Sequence, residues 1–329
     1  MNSEKYSNLY KKEKLKIDAK LKKILSTRKP HSLYEPGHYI LEGEGKRLRP
    51  ILVLFSAKAV GGKFSQAYNA ALSVEMMHNF TLVHDDIMDN ADKRRGRLTL
   101  HKKYDVSTAI LVGDSLLSIA YEYLLKDAKS ERSHKIIDTF NDGLIKVCEG
   151  QSLDKEFELK KVVTLSEYLV MIKKKTAALA EMCCRIGALI GNGSDEEIEV
   201  LANFGSKIGI AFQIQDDLLD IAGTEAELGK VIGGDLVEGK KTFLFLKALE
   251  KANSNQKKKL NRVIINKGIK HSEIDEYKKL YEKLGVITDA QKEIVKYSKS
   301  AIKGLEKLTN VEDKEIFTWL ANSLIKRNK

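Results

Sequence analysis

Proline is scarce in this 329-residue chain: there are three, Pro30, Pro36 and Pro50. From Ile51 to the end no proline interrupts the backbone, so nothing of that kind forbids helix over most of the length. Cysteine is equally sparse. Cys148, Cys183 and Cys184 form neither a disulfide framework nor a zinc-ligand spacing, and they suit a reducing, cytoplasmic compartment. The N-terminal stretch "MNSEKYSNLYKKEKLKIDAKLKK" is polar and charged, so a signal peptide is not expected. No run of the 18 to 20 apolar residues a membrane span needs stands out; the nearest, 177–191, carries Glu181 and Arg185. Solenoid-length repeats, Gly/Ser linkers and low-complexity tracts are also lacking. A single domain over residues 1–329 is therefore the expectation.

What is present is helix-forming. Hydrophobic residues make up 43% of the chain, enough for a substantial core, and Ala, Leu, Glu and Lys dominate where alternating β-branched runs are few. The fold class expected is all-α, a large helical bundle around a central cavity. Helices are predicted at about 3–27, 66–90, 106–127, 131–150, 165–190 and 195–222, with shorter ones beyond 239. The "TLSE" run at 164–167 reads as a capping box. Polar breaks fall at "GEGKRLRP" (43–50), "VGGKFS" (60–65) and "DKRRGRLT" (92–99). The net charge of +11 admits nucleic acid, membrane or a polyanionic small substrate. Much of the excess lies in lysine-rich segments such as "NQKKKLNRV", which read first as solvated helix faces.

Two acid clusters stand out. "LVHDDIMDN" (82–90) and "QIQDDLLD" (213–220) both contain D-D-x-x-D, each near the C-terminal end of a predicted long helix. Positions i and i+4 share a helix face, so Asp85 with Asp89 and Asp216 with Asp220 each present two carboxylates on one side. Like charges at that spacing repel, and the negative end of the helix dipole adds to the cost. A bound Mg²⁺ removes both penalties, since it takes few protein carboxylates and completes its shell with water and phosphate oxygens. Asp86 and Asp217 complete the two clusters. A single copy of the pattern is usually a solvated helix end; two copies on apolar helices are harder to read that way.

Basic runs lie close by in sequence: Lys46, Arg47 and Arg49; Lys93, Arg94, Arg95 and Arg97; Lys173, Lys174 and Lys175; and Lys230, Lys240 and Lys241. Arginine grips phosphate bidentately and lysine supplies a point charge. The combination suggests one diphosphate bound through metal and another bound directly. "GDLVEGKK" (234–241) nearly matches a nucleotide P-loop, but Lys241 stands where Ser or Thr must bind Mg²⁺ and no strand precedes it.

"GKRLRP", "LVHDDIMDN" with "RRG", "KT", "FQIQDDLLD" and "GK…GGD…GKK", in this order, resemble the trans-isoprenyl diphosphate synthases, or polyprenyl synthetases, from about Leu33 to beyond Lys241. The resemblance is most marked toward the short-chain geranylgeranyl and farnesyl diphosphate synthases. It implies Mg²⁺-dependent head-to-tail condensation of isopentenyl diphosphate with an allylic diphosphate, with three Mg²⁺ per site and a homodimer. By motif, Asp85, Asp89 and Asp216 would hold Mg²⁺, with Asp86, Asp217 and Asp220 directly or in support. Lys46, Arg49, His78 and Arg95 would hold isopentenyl diphosphate. Arg94, Lys175, Lys230 and Lys240 would hold the allylic diphosphate, and Thr176 and Gln213 would sit near the reacting carbons. Lys175, Thr176, Gln213 and Arg94 are thus the expected catalytic set. The family usually has Gly-Gly before Lys-Arg; here Glu44 precedes Gly45. His84 has no such motif support and reads as structural.

Product length is expected to depend on residues one to two turns before Asp85. Phe80 lies five residues earlier, about 7.5 Å along the helix axis, and Thr81 four earlier. In the family, bulk at the fifth position alone resembles C20 producers and bulk at both resembles C15 producers. Met77, deeper, can adjust the floor. The alternatives are a longer-chain polyprenyl synthase, which product chromatography separates, and a non-catalytic subunit, disfavoured because all six aspartates remain. A terpene cyclase would not need the "GKRLRP" and "RRG" cations, and no nucleic-acid motif accompanies the positive charge.

Overall fold

A computed structural model describes residues 3–129, 131–223, 232–308 and 311–325. In chain order the elements are α1 (Ser3–Ile24), α2 (His31–Leu41), α3 (Leu48–Ala59), α4 (Phe64–Met88), a hairpin of β1 (Lys93–Arg94) and β2 (Arg97–Leu98), α5 (Leu100–Lys103), α6 (Val106–Asp127) and α7 (Ser133–Leu159). There follow α8 (Leu165–Ile172), a π-helical turn (Lys173–Ala177), α9 (Ala178–Ile190), α10 (Asp195–Ala222), α11 (Gly234–Val237), α12 (Phe243–Lys251) and α13 (Ser254–Asn266). The last are α14 (Ile274–Leu284), α15 (Val286–Gly304) and α16 (Val311–Ile325). The all-α expectation holds. The contacts sort into two compact units, one of residues 1–141, 182–202 and 307–319, the other of 142–181, 203–306 and 320–329.

In the first unit α4 packs chiefly along α6 and α3. Its middle is buried on all sides, as a central helix requires: Ala70, Ala71, Val74, Met76 and Met77 are wholly inside, and the buried polar residues among them, Ser73 and Glu75, are hydrogen-bonded. Asp105 caps α6, accepting from the Thr108 N–H at 2.8 Å. By length and composition α6 is the one described helix that could cross a membrane, which moves that candidate from the expected 177–191 segment. A core helix passes the same test, and one face of α6 is given to α4.

In the second unit one apolar cluster gathers Phe157, Tyr168, Ile172, Ile214, Leu218, Phe243, Phe245, Leu260, Tyr281 and Ile294. Truncating a buried phenylalanine such as Phe243 or Phe245 would cost about 3–5 kcal/mol. The "TLSE" capping box forms: the Glu167 N–H donates to Thr164 Oγ1 at 3.2 Å and the Thr164 N–H to Glu167 Oε2 at 2.8 Å.

Three elements differ from the sequence expectation. α2 forms around Pro36, which lies inside it; the ring removes one backbone donor but an 11-residue helix tolerates the loss here. Residues 93–98 form a short hairpin with Lys93 opposite Leu98 and Arg94 opposite Arg97. Its turn places Arg95 at φ 51° and Gly96 at φ 77°, the two positive φ values of a type I′ turn, which glycine supplies at no steric cost. The helix expected over 165–190 is interrupted by the π turn at Lys173–Ala177. Such turns recur at functional sites.

Candidate active site

The first unit holds one acid cluster and most of the arginines. Asp85 and Asp86 lie in the last turn of α4, with Asp86 buried, and exposed Asp89 is its C-cap residue. Arg94 Nε donates to Asp86 Oδ1 at 2.7 Å. Burial raises the Asp86 carboxyl above its ordinary value, against the opposing pull of Arg94. Asp86 is thereby engaged from the protein side, while Asp85 and Asp89 occupy the shared i, i+4 face.

Around His78, seven residues before Asp85, the charge is positive. His78 is buried, and its Nδ1 has no hydrogen-bond partner among the described residues. Burial, then the charges of Arg49, Arg95, Arg94 and Arg47, push the imidazole well below its ordinary value, so it is neutral at pH 7. Arg95 reaches solvent, yet lost solvation and the repulsion of Arg94, Arg47 and Arg49 lower its guanidinium, against the pull of Glu75. It stays charged. Three of the expected diphosphate ligands, Arg49, His78 and Arg95, thus share one electrostatic neighbourhood, with Arg94 beside them.

Arg47, between Lys46 and Arg49, has a different task. It is 5% exposed, donating to Asp18 Oδ1 at 2.8 Å, Glu75 Oε1 at 2.7 Å and the Gly43 carbonyl at 2.5 Å. This cage fixes the turn into α3 and leaves Lys46, which is exposed, on its outer side. Glu44 joins the site through its backbone: its carbonyl accepts from Arg95 Nη1 at 2.7 Å, while its side chain is exposed. The first glycine of the family's Gly-Gly pair can therefore be replaced by Glu44 without placing a carboxylate on the arginines, while Gly45 keeps the second.

Before the cluster on α4, Met77 is buried and Phe80 and Thr81 are half-buried. The Phe80 ring lies 4.7 Å from the His84 ring, and Thr81 Oγ1 donates to the His78 carbonyl at 2.8 Å. His84 fits against Gly113 of α6, where an added Cβ would meet His84 Nε2 at 2.3 Å. That contact accounts for His84 structurally.

The second unit holds the other cluster. Asp216 is half-buried near the end of α10; Asp217 and Asp220 are buried. Asp217 takes three donors: Tyr168 Oη at 2.5 Å, the Phe243 N–H at 3.0 Å and Gln213 Nε2 at 3.1 Å. Burial, aided by the charge of Asp235, pushes its carboxyl up to about 7 against those hydrogen bonds. Thr176 Oγ1 donates to Gln213 Oε1 at 2.8 Å, so Tyr168, Asp217, Gln213 and Thr176 form one chain. Asp220 Oδ2 accepts from the Asp235 N–H at 3.0 Å and its carbonyl from the Gly233 N–H at 2.6 Å, tying α11 to the end of α10.

Lys175 and Thr176 sit on the π turn. Lys175 Nζ pairs with Asp154 Oδ2 at 2.6 Å, and Lys174 Nζ with Glu149 Oε2 at 2.6 Å. Gly150 lets α7 pass against this turn: a Cβ there would meet the Lys175 backbone nitrogen at 2.2 Å. Lys240 Nζ pairs with Glu238 Oε2 at 2.7 Å. Lys241 is buried and donates to the Phe157 carbonyl at 2.6 Å, which removes it from any phosphate site. Lys230 lies outside the described residues. Sequence reasoning did not single out Asp154, Tyr168 or Gly150, for which no motif speaks; Asp235 lies in the quoted "GGD" and could have been found.

Among the described residues no three His, Cys, Asp or Glu side chains converge as a ready-made metal cage. Mg²⁺ needs none: it commonly binds one or two carboxylates and keeps water and phosphate oxygens. The all-oxygen pair Asp85 and Asp89, with Asp86 already held by Arg94, fits that habit, as does half-buried Asp216 beside its hydrogen-bonded neighbours.

Comparison with known proteins agrees with this chemistry. Residues 30–284 match the family described as polyprenyl synthetase. A geranylgeranyl diphosphate synthase of Methanosarcina mazei is 45% identical over 236 residues, covering 71% of this chain and 73% of its own length. A short chain isoprenyl diphosphate synthase of Methanothermobacter thermautotrophicus is 36% identical over 310 residues, covering 94% and 95%. The crystal structure of geranylgeranyl pyrophosphate synthetase from Pyrococcus horikoshii superposes with a TM-score of 0.90 at 37% identity, over 98% of this chain and 99% of that one. The chain belongs to the polyprenyl synthetase family and is a prenyltransferase enzyme.

Proposed function

We propose that the chain condenses isopentenyl diphosphate head-to-tail with an allylic diphosphate (dimethylallyl, geranyl or farnesyl) to give a short-chain all-trans prenyl diphosphate, C20 in preference to C15. The observation that carries this reading is the arginine-crowded surround of neutral, buried His78. Guanidiniums that repel one another gain most from a polyanion, and a diphosphate is the polyanion this family handles. The names of the relatives support the C20 product.

In this reading Lys46, Arg49, His78 and Arg95 bind isopentenyl diphosphate, and Arg94, Lys175, Lys230 and Lys240 bind the allylic diphosphate. Asp85, Asp89 and Asp216 are the ligands of Mg²⁺, three ions in all. Asp86 orients Arg94, Asp217 orients Gln213, and Asp220 anchors α11. Bound Mg²⁺ would supply Lewis-acid stabilisation of the diphosphate charge. The cations then stabilise the leaving diphosphate as its bond to the allylic carbon breaks. Thr176 and Gln213 offer oxygen dipoles to the carbocation, and their mutual hydrogen bond and the link to Asp217 hold them in place. Apolar walls exclude water from the cation. The departing diphosphate accepts the final proton, since no side chain is an evident base.

Phe80 sets the length of the product, with Thr81 leaving room beside it and Met77 below. The same reading takes residues 1–329 as one functional domain acting as a cytoplasmic homodimer, and exposed Ile110 and Leu111 on α6 offer apolar surface for pairing. Incubation with isopentenyl diphosphate and each allylic starter, with and without Mg²⁺, tests the proposal. A Mg²⁺-dependent C20 product is expected; no product with any starter would overturn it.

A further inference from the structure

We propose that the outer face of α13 docks this protein on an anionic lipid surface. Residues 254–270 contain Lys257, Lys258, Lys259, Arg262, Lys267 and Lys270 and no Asp or Glu. The inner face of α13 is fixed in the fold: Leu260 and Val263 are buried in the apolar cluster and Ile264 packs against it. Lys259 also turns inward, pairing with Glu276 and lying 4.5 Å from the Tyr277 ring centroid. The outer face carries exposed Lys257, Lys258 and Arg262, with exposed Lys267 and Lys270 following.

Among these cations stands Ile265, 76% exposed. Lys258, Arg262 and Ile265 follow the i, i+4, i+7 spacing of one helix face. A cavity of about 350 Å³ adjoins it, lined by Lys258, Arg262, Asn255 and Asn266 among others, with room for a lipid head group. Glu273 and Glu276 also line this cavity and lower its charge, so the outer face and not the cavity carries the attraction.

A basic helical face with an exposed aliphatic residue at its centre matches an anionic bilayer in both charge and polarity. Nucleic acid is the competing polyanion. It is disfavoured because no aromatic side chain is exposed on α13 to stack a base, whereas Ile265 can enter the head-group region. The inference is independent of the catalytic reading, since none of these residues belongs to the proposed site.

Sedimentation of the full chain with phosphatidylcholine vesicles, with and without phosphatidylglycerol, tests it. Binding is expected only with phosphatidylglycerol and is expected to fall steeply with added salt. Lys258→Gln and Arg262→Gln should each weaken binding about fivefold. Ile265→Ser should weaken it at unchanged charge, and all three variants should keep wild-type helicity and wild-type activity in vesicle-free buffer. Three results would overturn the proposal: no sedimentation with phosphatidylglycerol vesicles at low salt, equal binding by the variants, or preferential capture by RNA over the vesicles at the same salt.

Discussion

The two acid clusters share one pattern, D-D-x-x-D, and live in opposite environments. In the first, the buried middle carboxylate, Asp86, is compensated by a cation, Arg94, and the cluster ends in exposed Asp89. In the second, the buried middle carboxylate, Asp217, is compensated by neutral donors from Tyr168, Gln213 and the Phe243 backbone. Its last member, Asp220, is buried and ties down α11. A motif therefore fixes which residues recur and not what each does. The first cluster is built beside a pool of positive charge; the second is built into a hydrogen-bonded framework that also positions Thr176.

The largest expected effect falls on the position the clusters have in common. Asp85→Ala and Asp216→Ala should each lower turnover at least about a hundredfold, the scale on which loss of one electrostatic stabiliser acts. Steady-state kinetics with purified variants would show it, and near-normal turnover in either would break the equivalence of the two first aspartates. Chelation of Mg²⁺ should abolish turnover in the wild type.

The middle positions should then separate. Asp217→Ala strands the Tyr168 hydroxyl and the Phe243 N–H in the core and should cost about 2–4 kcal/mol of stability. Asp86→Ala frees Arg94, whose side chain is 37% exposed, and should cost under about 1 kcal/mol. Denaturant titration of the pair measures the contrast; equal losses would contradict it.

The fifth position before each cluster gives a further contrast, Phe80 before Asp85 and Ala211 before Asp216. If the first cluster's helix alone limits chain growth, Phe80→Ala should shift the product beyond C20, read by chromatography of the dephosphorylated alcohols. An unchanged length would remove Phe80 from that role. At the second cluster a small effect is expected at Tyr168→Phe, about 1 kcal/mol by thermal unfolding, because Asp217 keeps two of its three donors.

Much of this was legible in sequence because it rests on local spacing. The all-helical fold follows from the proline-free stretch, the "TLSE" cap from its own four residues, and the shared face of Asp85 and Asp89 from helix periodicity. What was not legible depends on partners distant in sequence. Nothing local marks Tyr168 as the donor to Asp217, or Asp154 as the partner of Lys175. The hairpin at 93–98 was hidden because two-residue strands have no periodicity to read, although its Arg95-Gly96 turn is visible once positive φ is known to be needed. The π turn was hidden because Lys173–Ala177 has ordinary helix composition, and the residue packed closely against it, Gly150, is distant in sequence.

The most direct measurement is the product formed from isopentenyl diphosphate and farnesyl diphosphate by the purified 329-residue chain. The account predicts a C20 diphosphate, formed with Mg²⁺ and not without it. A product well beyond C20, or turnover that survives chelation, would contradict it.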